Sequence, residues 1–403
     1  MEVISGGVCA AKGFLSGGIH CGIRKNKTKK DLALIYSETR CAAASVYTQN
    51  LVKGAPLTVT EKNIRDGYAK AIICNSGNAN TCNSDGIIKA ELMCELTANA
   101  LNISPSDVIV ASTGVIGQTL DIVPIKNGIP LLVQSLGINS TAAAEAIMTT
   151  DLRIKEYAVS FMLGKKRCSL GAIAKGSGMI CPNMATMLIF ITTDVAISPE
   201  MLKKALLTDV KNSFNMISVD GDTSTNDMVS VLANGLSGNE EIVCEGEDFK
   251  KFTNALGVVT KALCKMIARD GEGATKLLEC TVSQAKSESD AKLVSKSIIC
   301  SSLVKAAMFG EDANWGRILC AAGYSKANID VTKIDVSFKS EAGEITVCKS
   351  GSGIDFSEKS AKSILKKDEI QILVNLNAGD SSATAWGCDL TYDYVKINGD
   401  YRT

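Results

Sequence analysis

The run from Lys175 to Thr186 (KGSGMICPNMAT) carries more chemistry than any other stretch of the chain. A glycine-containing approach ends on one threonine, Thr186, which opens the most β-branched segment, TMLIFITTDV. A threonine hydroxyl is a weak nucleophile until a base stands beside it. When threonine is a chain terminus its own α-amine can be that base, and such a terminus is made by breaking the preceding bond. Ala185 is small enough to let the hydroxyl approach its carbonyl. An ordinary β-branched strand residue is the commoner reading of any single threonine of this kind.

Three further groups could serve such a nucleophile. Ser112-Thr113-Gly114 follows a short strand, where N–H groups and a hydroxyl can stabilise a developing oxyanion; a plain turn is the alternative. Glu272, between Gly271 and Gly273, can meet a substrate amine, or it is a solvated loop carboxylate. Asn75 to Asn80 (NSGNAN) follows another strand and suits a turn or an active-site rim. The tail from Asn398 to Thr403 is read as following a strand, and tails ordinarily fray.

Composition narrows the field. The chain has 403 residues and one histidine, His20. A Ser-His-Asp or Cys-His mechanism would need that residue as its base, and a His-rich metal site cannot be built. The 43 basic and 43 acidic side chains cancel. No cationic surplus is left to neutralise nucleic-acid phosphates or anionic lipid. No CxxC pair occurs among the 15 cysteines. Many sit in apolar runs, as Cys74 and Cys300 do, and they read as small hydrophobic residues and free thiols. Cys181, inside the segment before Thr186, reads as an apolar filler. No leader peptide and no membrane-spanning run is recognised, so a cytoplasmic protein is expected.

Elements must hold these groups. Strands are expected at Leu32–Tyr36, Lys70–Cys74, Val108–Ala111, Thr186–Val195, Ile329–Phe338, Glu344–Cys348, Glu369–Leu376 and Leu390–Ile397. Helices are expected at Ile87–Leu101, Ile122–Leu136, Ala142–Met148, Pro199–Leu207, Glu247–Ala268 and Ser357–Lys366. Ala172–Met179 is expected as a glycine-rich turn. Near Glu279–Glu288 a short strand gives way to a helix. The class is α/β or α+β, with a boundary near residue 280 that separates 1–280 from a smaller unit, 281–403.

These pieces, in this order, resemble the ornithine acetyltransferase family, the glutamate N-acetyltransferases of arginine biosynthesis. The resemblance spans nearly the whole chain. It rests on NSGNAN, MTTD (Met148 to Asp151), Ala174 to Thr186, FNMISVDGDTSTND (Phe214 to Asp227), NWGRIL (Asn314 to Leu319) and the tail. The resemblance implies cleavage between Ala185 and Thr186, giving an α chain of 1–185 and a β chain of 186–403. Thr186 would be acetylated in turnover. Thr113 and Gly114 match the oxyanion pair. Substrate contacts map to Thr150 (chosen over Thr149), Lys175, Thr186, Glu272, Asn398 and Thr403. The family further implies a layered αββα sandwich like that of self-cleaving aminopeptidases, α2β2 assembly, and no cofactor, with acetyl-CoA a second donor in some members. The rivals are a related self-cleaving aminopeptidase or amidase and a binding protein without chemistry.

Overall fold

A computed structural model describes residues 1–181 and 187–399. Two mixed β-sheets organise it. The first uses β1 (Glu2–Ile4), β2 (Phe14–Ile19), β3 (Leu32–Tyr47), β4 (Tyr68–Asn78), β5 (Val108–Val115), β6 (Lys155–Leu163), β7 (Lys166–Lys175) and β8 (Leu188–Thr193). After β9 (Ile217–Ser218), which joins the other sheet, it is completed by β10 (Met228–Ala233). The second sheet adds β11 (Leu277–Ala285), β12 (Asp335–Ser340), β13 (Gly343–Lys349), β14 (Ser352–Gly353), β15 (Glu369–Asn375) and β16 (Ser381–Cys388). The helices are α1 (Ala55–Asn63), α2 (Gly86–Leu101), α3 (Ile122–Gln134), α4 (Ser140–Ile147), α5 (Pro199–Val210), α6 (Glu247–Arg269), α7 (Glu288–Cys300), α8 (Ser302–Phe309), α9 (Trp315–Gly323), α10 (Glu358–Leu365) and α11 (Tyr392–Gly399).

The first sheet runs in the order β1-β6-β7-β8-β10-β3-β4-β5, with β2 also on β3. Its central pair, β8 and β10, is parallel and buried along its whole length. That explains the apolar run LIFI and the nearly continuous MVSVLA, broken only by Ser230, since a strand covered on both faces has no reason to alternate. Helix α4 covers one face of this sheet. On the other, α6 packs against β6 and β7 and also reaches β11 and β16 of the second sheet. Helix α6 is suited to this by its apolar residues Phe249, Phe252, Leu256, Val259, Leu263 and Ile267, at spacings of three and four. Helix α5 starts where Ser198 accepts a hydrogen bond from Met201 N–H and Pro199 fills the first turn. The result is the layered α/β class expected from the sequence. No helix among the described residues is long and apolar enough to cross a membrane.

Four expectations change. The run Leu390–Ile397 is helix α11, not a strand. The segment pairs with no strand, and Tyr392 and Val395 stay exposed while Thr391 Oγ1 donates to Gly273 O. Ile329–Phe338 becomes strand only from Asp335, after a short turn of 3-10 helix at Val331–Lys333 that Asp330 caps. Ala172 to Lys175 belongs to β7, so the glycine-rich turn is shorter than expected. Finally, NSGN and Ser112-Thr113-Gly114 lie inside β4 and β5 and do not follow them, because the parallel pairing continues to Gly77 and Gly114.

Candidate active site

Strands β4 and β5 deliver their polar ends side by side. Ser112 Oγ donates to Asn75 Oδ1 at 2.5 Å, and Asn75 Nδ2 donates to Asn78 O at 2.9 Å. Buried amides thus satisfy one another where the apolar strands give out. Gly114 has φ +132°, and a side chain there would strike the Gly77 backbone at 2.3 Å. Only glycine lets the two strands stay this close. Asn226 clamps the same region to β10. Its Nδ2 donates to Ala79 O and Ser112 O at 2.6 and 3.0 Å, and its Oδ1 accepts from Thr81 and Thr225.

From the opposite side comes the end of β7. Lys175 Nζ donates to Thr113 Oγ1 at 3.2 Å. The Thr113 hydroxyl is therefore an acceptor for lysine, and its own proton is free to point elsewhere. Beyond Lys175 the chain turns. Gly176 N–H donates to Asp151 Oδ1 at 2.7 Å, and Ser177 Oγ shares a 2.6 Å hydrogen bond with Thr150 Oγ1.

Glu272 enters from the end of α6. Its N–H donates to Ser177 O at 2.9 Å, and its Oε2 accepts from Asn398 Nδ2 of α11 at 2.8 Å. A Cβ at Gly178 would lie 2.3 Å from that carboxylate. The glycine is what gives Glu272 its place. Asn398 reaches the glutamate because α11 is a helix, so the corrected tail brings this side chain to the cleft.

A buried ion triad underlies the arrangement. Lys155 Nζ lies 2.7 Å from Asp151 Oδ1 and 2.6 Å from Asp270 Oδ2. Asp270 also accepts from Leu152 and Arg153 N–H. The loop at 149–153, the turn after β7 and the end of α6 are thereby fastened together. Burial alone would raise the Asp151 carboxyl, but Lys155 and Lys175 prevail and hold it down at about 2. Asp227 is the contrasting case. Burial pushes it well above the usual carboxylate range, and its Oδ2 has no partner among the described residues. It precedes Met228, whose N–H donates to Met187 O at the entry to β8.

These side chains line a cleft of about 440 Å³. Thr113, Gly114, Thr150, Lys175, Glu272 and Asn398 all face it, and so does Thr149. Larger clefts of about 630 and 710 Å³ lie elsewhere and contain none of the expected site residues. The polar convergence, not the size, singles out the smaller one. Ala185, Thr186 and Thr403 lie outside the described residues. His20 is not at the cleft; its Nδ1 sits 2.9 Å from Lys29 O and 3.2 Å from Asp31. Sequence reasoning gave no role to Asn226, Ser177, Asp227 or the Lys155 triad. Asn226 and Asp227 close the string FNMISVDGDTSTND, whose unusual composition was the available signal.

Layered mixed sheets with a polar cleft at converging strand ends define an α/β enzyme. The chain belongs to the ArgJ family, whose model matches residues 15–403. It is 54% identical over 392 residues to the arginine biosynthesis bifunctional protein ArgJ 1 of Clostridium acetobutylicum, covering 97% of this chain and 96% of that one. It is 49% identical over 405 residues to arginine biosynthesis bifunctional protein ArgJ of Caldanaerobacter subterraneus, covering 100% of both. A crystal structure of the arginine biosynthesis bifunctional protein from Bacillus halodurans is 47% identical, with a TM-score of 0.50. It covers 53% of this chain and 98% of that one.

Proposed function

We propose that this enzyme transfers the acetyl group of N2-acetyl-L-ornithine to L-glutamate, giving ornithine and N-acetyl-L-glutamate. The observation that carries the reading is the cleft itself. One cation, one carboxylate and a threonine–glycine pair converge there from segments far apart in sequence. Family membership over nearly the whole chain supports the same pathway.

The chain first breaks between Ala185 and Thr186, and the freed α-amine of Thr186 becomes its general base. The Thr186 hydroxyl attacks the acetyl carbonyl, and Thr113 with Gly114 stabilises the resulting oxyanion. The tetrahedral intermediate collapses, ornithine leaves with a proton from the Thr186 ammonium, and acetyl stays on the threonine. The α-amine of glutamate then attacks that ester and regenerates the hydroxyl. Lys175 receives a substrate carboxylate. Glu272, steadied by Asn398, receives the side-chain ammonium of ornithine. Thr150 and Thr403 complete the substrate contacts. The Bacillus halodurans chain supports cleavage by its length, since 53% of this chain is about the size of a product cut at this junction. Assembly as α2β2 in the cytoplasm belongs to the same reading.

Thr186→Ala tests the proposal. The variant should run as one uncut species of 42.5 kDa and transfer no acetyl group. Full activity in an uncut chain would defeat it. A hydrolase would release ornithine at a rate indifferent to glutamate, whereas this enzyme should respond to it. Supplying acetyl-CoA in place of acetylornithine tells whether a second donor is used.

A further inference from the structure

Cys181 ends the described part of the segment that leads to the cut. Its surroundings hold it firmly. Met179 and Ile180 N–H both donate to the Asp220 carboxylate, at 2.6 and 2.8 Å. Ile180 O accepts from Val219 N–H at 2.7 Å, and Cys181 O accepts from Thr223 Oγ1 at 2.9 Å. Across from it stands Cys300, the last residue of α7, 119 positions away in sequence. The two sulfurs are 3.7 Å apart. Both residues are only partly buried, so a small oxidant can reach them.

The pair has a cation beside it. Lys296 lies one helical turn before Cys300, and its Nζ donates to Asn215 O and Ile217 O at 2.8 and 2.5 Å. The Cys300 thiol is pulled down, first by the Cys181 S–H and then by the Lys296 charge, against the opposing effect of burial. Cys181 is pushed up in turn by the same hydrogen bond and by burial. Two sulfurs in contact with a lysine beside them let one act as thiolate and the other give up a proton, which is the division of labour that oxidation needs.

We propose that Cys181 and Cys300 form a reversible disulfide under peroxide, and that this bond rejoins the two chains made by cleavage. The second half rests on the cleavage reading, since only a cut after residue 185 puts the two cysteines on different chains. The Cys300 thiolate attacks one oxygen of hydrogen peroxide. The O–O bond breaks, hydroxide leaves and is protonated to water, and Cys300 becomes a sulfenic acid. The Cys181 sulfur then attacks the Cys300 sulfur, the S–O bond breaks, and the departing oxygen takes the Cys181 proton as a second water. Two thiols and one peroxide become one disulfide and two waters. A small dithiol reverses the change by exchange. Because 179–181 is already fixed to the 217–223 loop, the bond forms without moving the cleft, and acetyl transfer continues.

Peptide mapping of the whole protein under non-reducing conditions, after peroxide and alkylation of the remaining thiols, decides the matter. The expected product is a Cys181–Cys300 cross-linked peptide, in wild type and in Thr186→Ala alike, which dithiothreitol abolishes. On a non-reducing denaturing gel the oxidised wild type should run as one species near full length, and as two once reduced. Cys300→Ser should give two in both lanes. Alkylation of both cysteines at a peroxide dose that oxidises the exposed Cys82, Cys244 and Cys320 would overturn the disulfide. A cross-linked peptide from a chain that stays single after reduction would uphold the disulfide and overturn the rejoining, because cleavage itself would then have failed.

Discussion

Glu272 and Lys175 give the cleft an acidic and a basic side, and under the proposed function the two substrates would use those sides differently. Acetylornithine carries a side-chain ammonium; glutamate carries a second carboxylate. Glu272→Gln keeps an acceptor for Asn398 Nδ2 at the 2.8 Å contact but removes the charge. Losing a charge-assisted contact costs about 2 kcal/mol, some 30-fold. Steady-state kinetics should show kcat/KM for acetylornithine falling by about that factor, while the half-reaction with glutamate changes far less. Equal losses for both substrates would remove Glu272 from the ammonium site. At this scale the sequence was informative about reactive side chains and silent about their supports. Thr113, Lys175 and Glu272 sit in glycine-marked or otherwise unusual strings that can be noticed one at a time. Lys155 and Asp270 mean something only together, and 115 residues separate them.

The elements act by fastening those supports to one another. The triad of Asp151, Lys155 and Asp270 joins the loop before β6, the first residue of β6 and the end of α6. Lys155→Met would leave two carboxylates facing each other in a buried site, at a cost of about 3–5 kcal/mol. Chemical denaturation should register that loss, and Glu272, two residues past Asp270, should lose its alignment with it. A second joint links α5 to α6. Asp209 accepts hydrogen bonds from Ser213 Oγ at 2.9 Å and from Thr260 Oγ1 at 3.1 Å. Burial, opposed by those bonds, raises its carboxyl to about 6. A carboxyl raised on folding binds its proton more tightly in the native state, so its contribution is full below about pH 4 and is lost as pH climbs through 6. Asp209→Asn should therefore gain about 1–3 kcal/mol over wild type at pH 7.5 and nothing at pH 4. Paired denaturation curves at the two pH values would check the sign. Periodicity made α2, α6 and the central strands legible, because amphipathic or continuously apolar runs are local signals. It misread the tail, where TYDYVKI has the side chains of a strand. The contacts the tail makes, Thr391 with Gly273 and Asn398 with Glu272, are to segments more than 100 residues away, and those are not a local property.

Across the whole molecule, the order of strands bears on the proposed cut more than any single contact does. Strands β8 and β10 lie between β7 and β3. In a molecule cut after residue 185, two inner strands of the β chain would be inserted between strands that all belong to the α chain. Unfolding such a molecule separates its parts, and recovery becomes an encounter between two chains. Refolding yield, followed by circular dichroism, should fall on dilution for the cut enzyme and hold for uncut Thr186→Ala. The same insertion sets a timetable during synthesis. A ribosome completes residues 1–185 before it makes β8 and β10. Until those strands arrive, β7 and β3 each carry an unpaired edge of the kind that captures stray chains. Two genes divided at codon 186 would release both halves in that exposed condition. Encoding them as one polypeptide, if it is severed as proposed once the middle of the sheet is filled, would tie the birth of the α-amine to the completion of the fold.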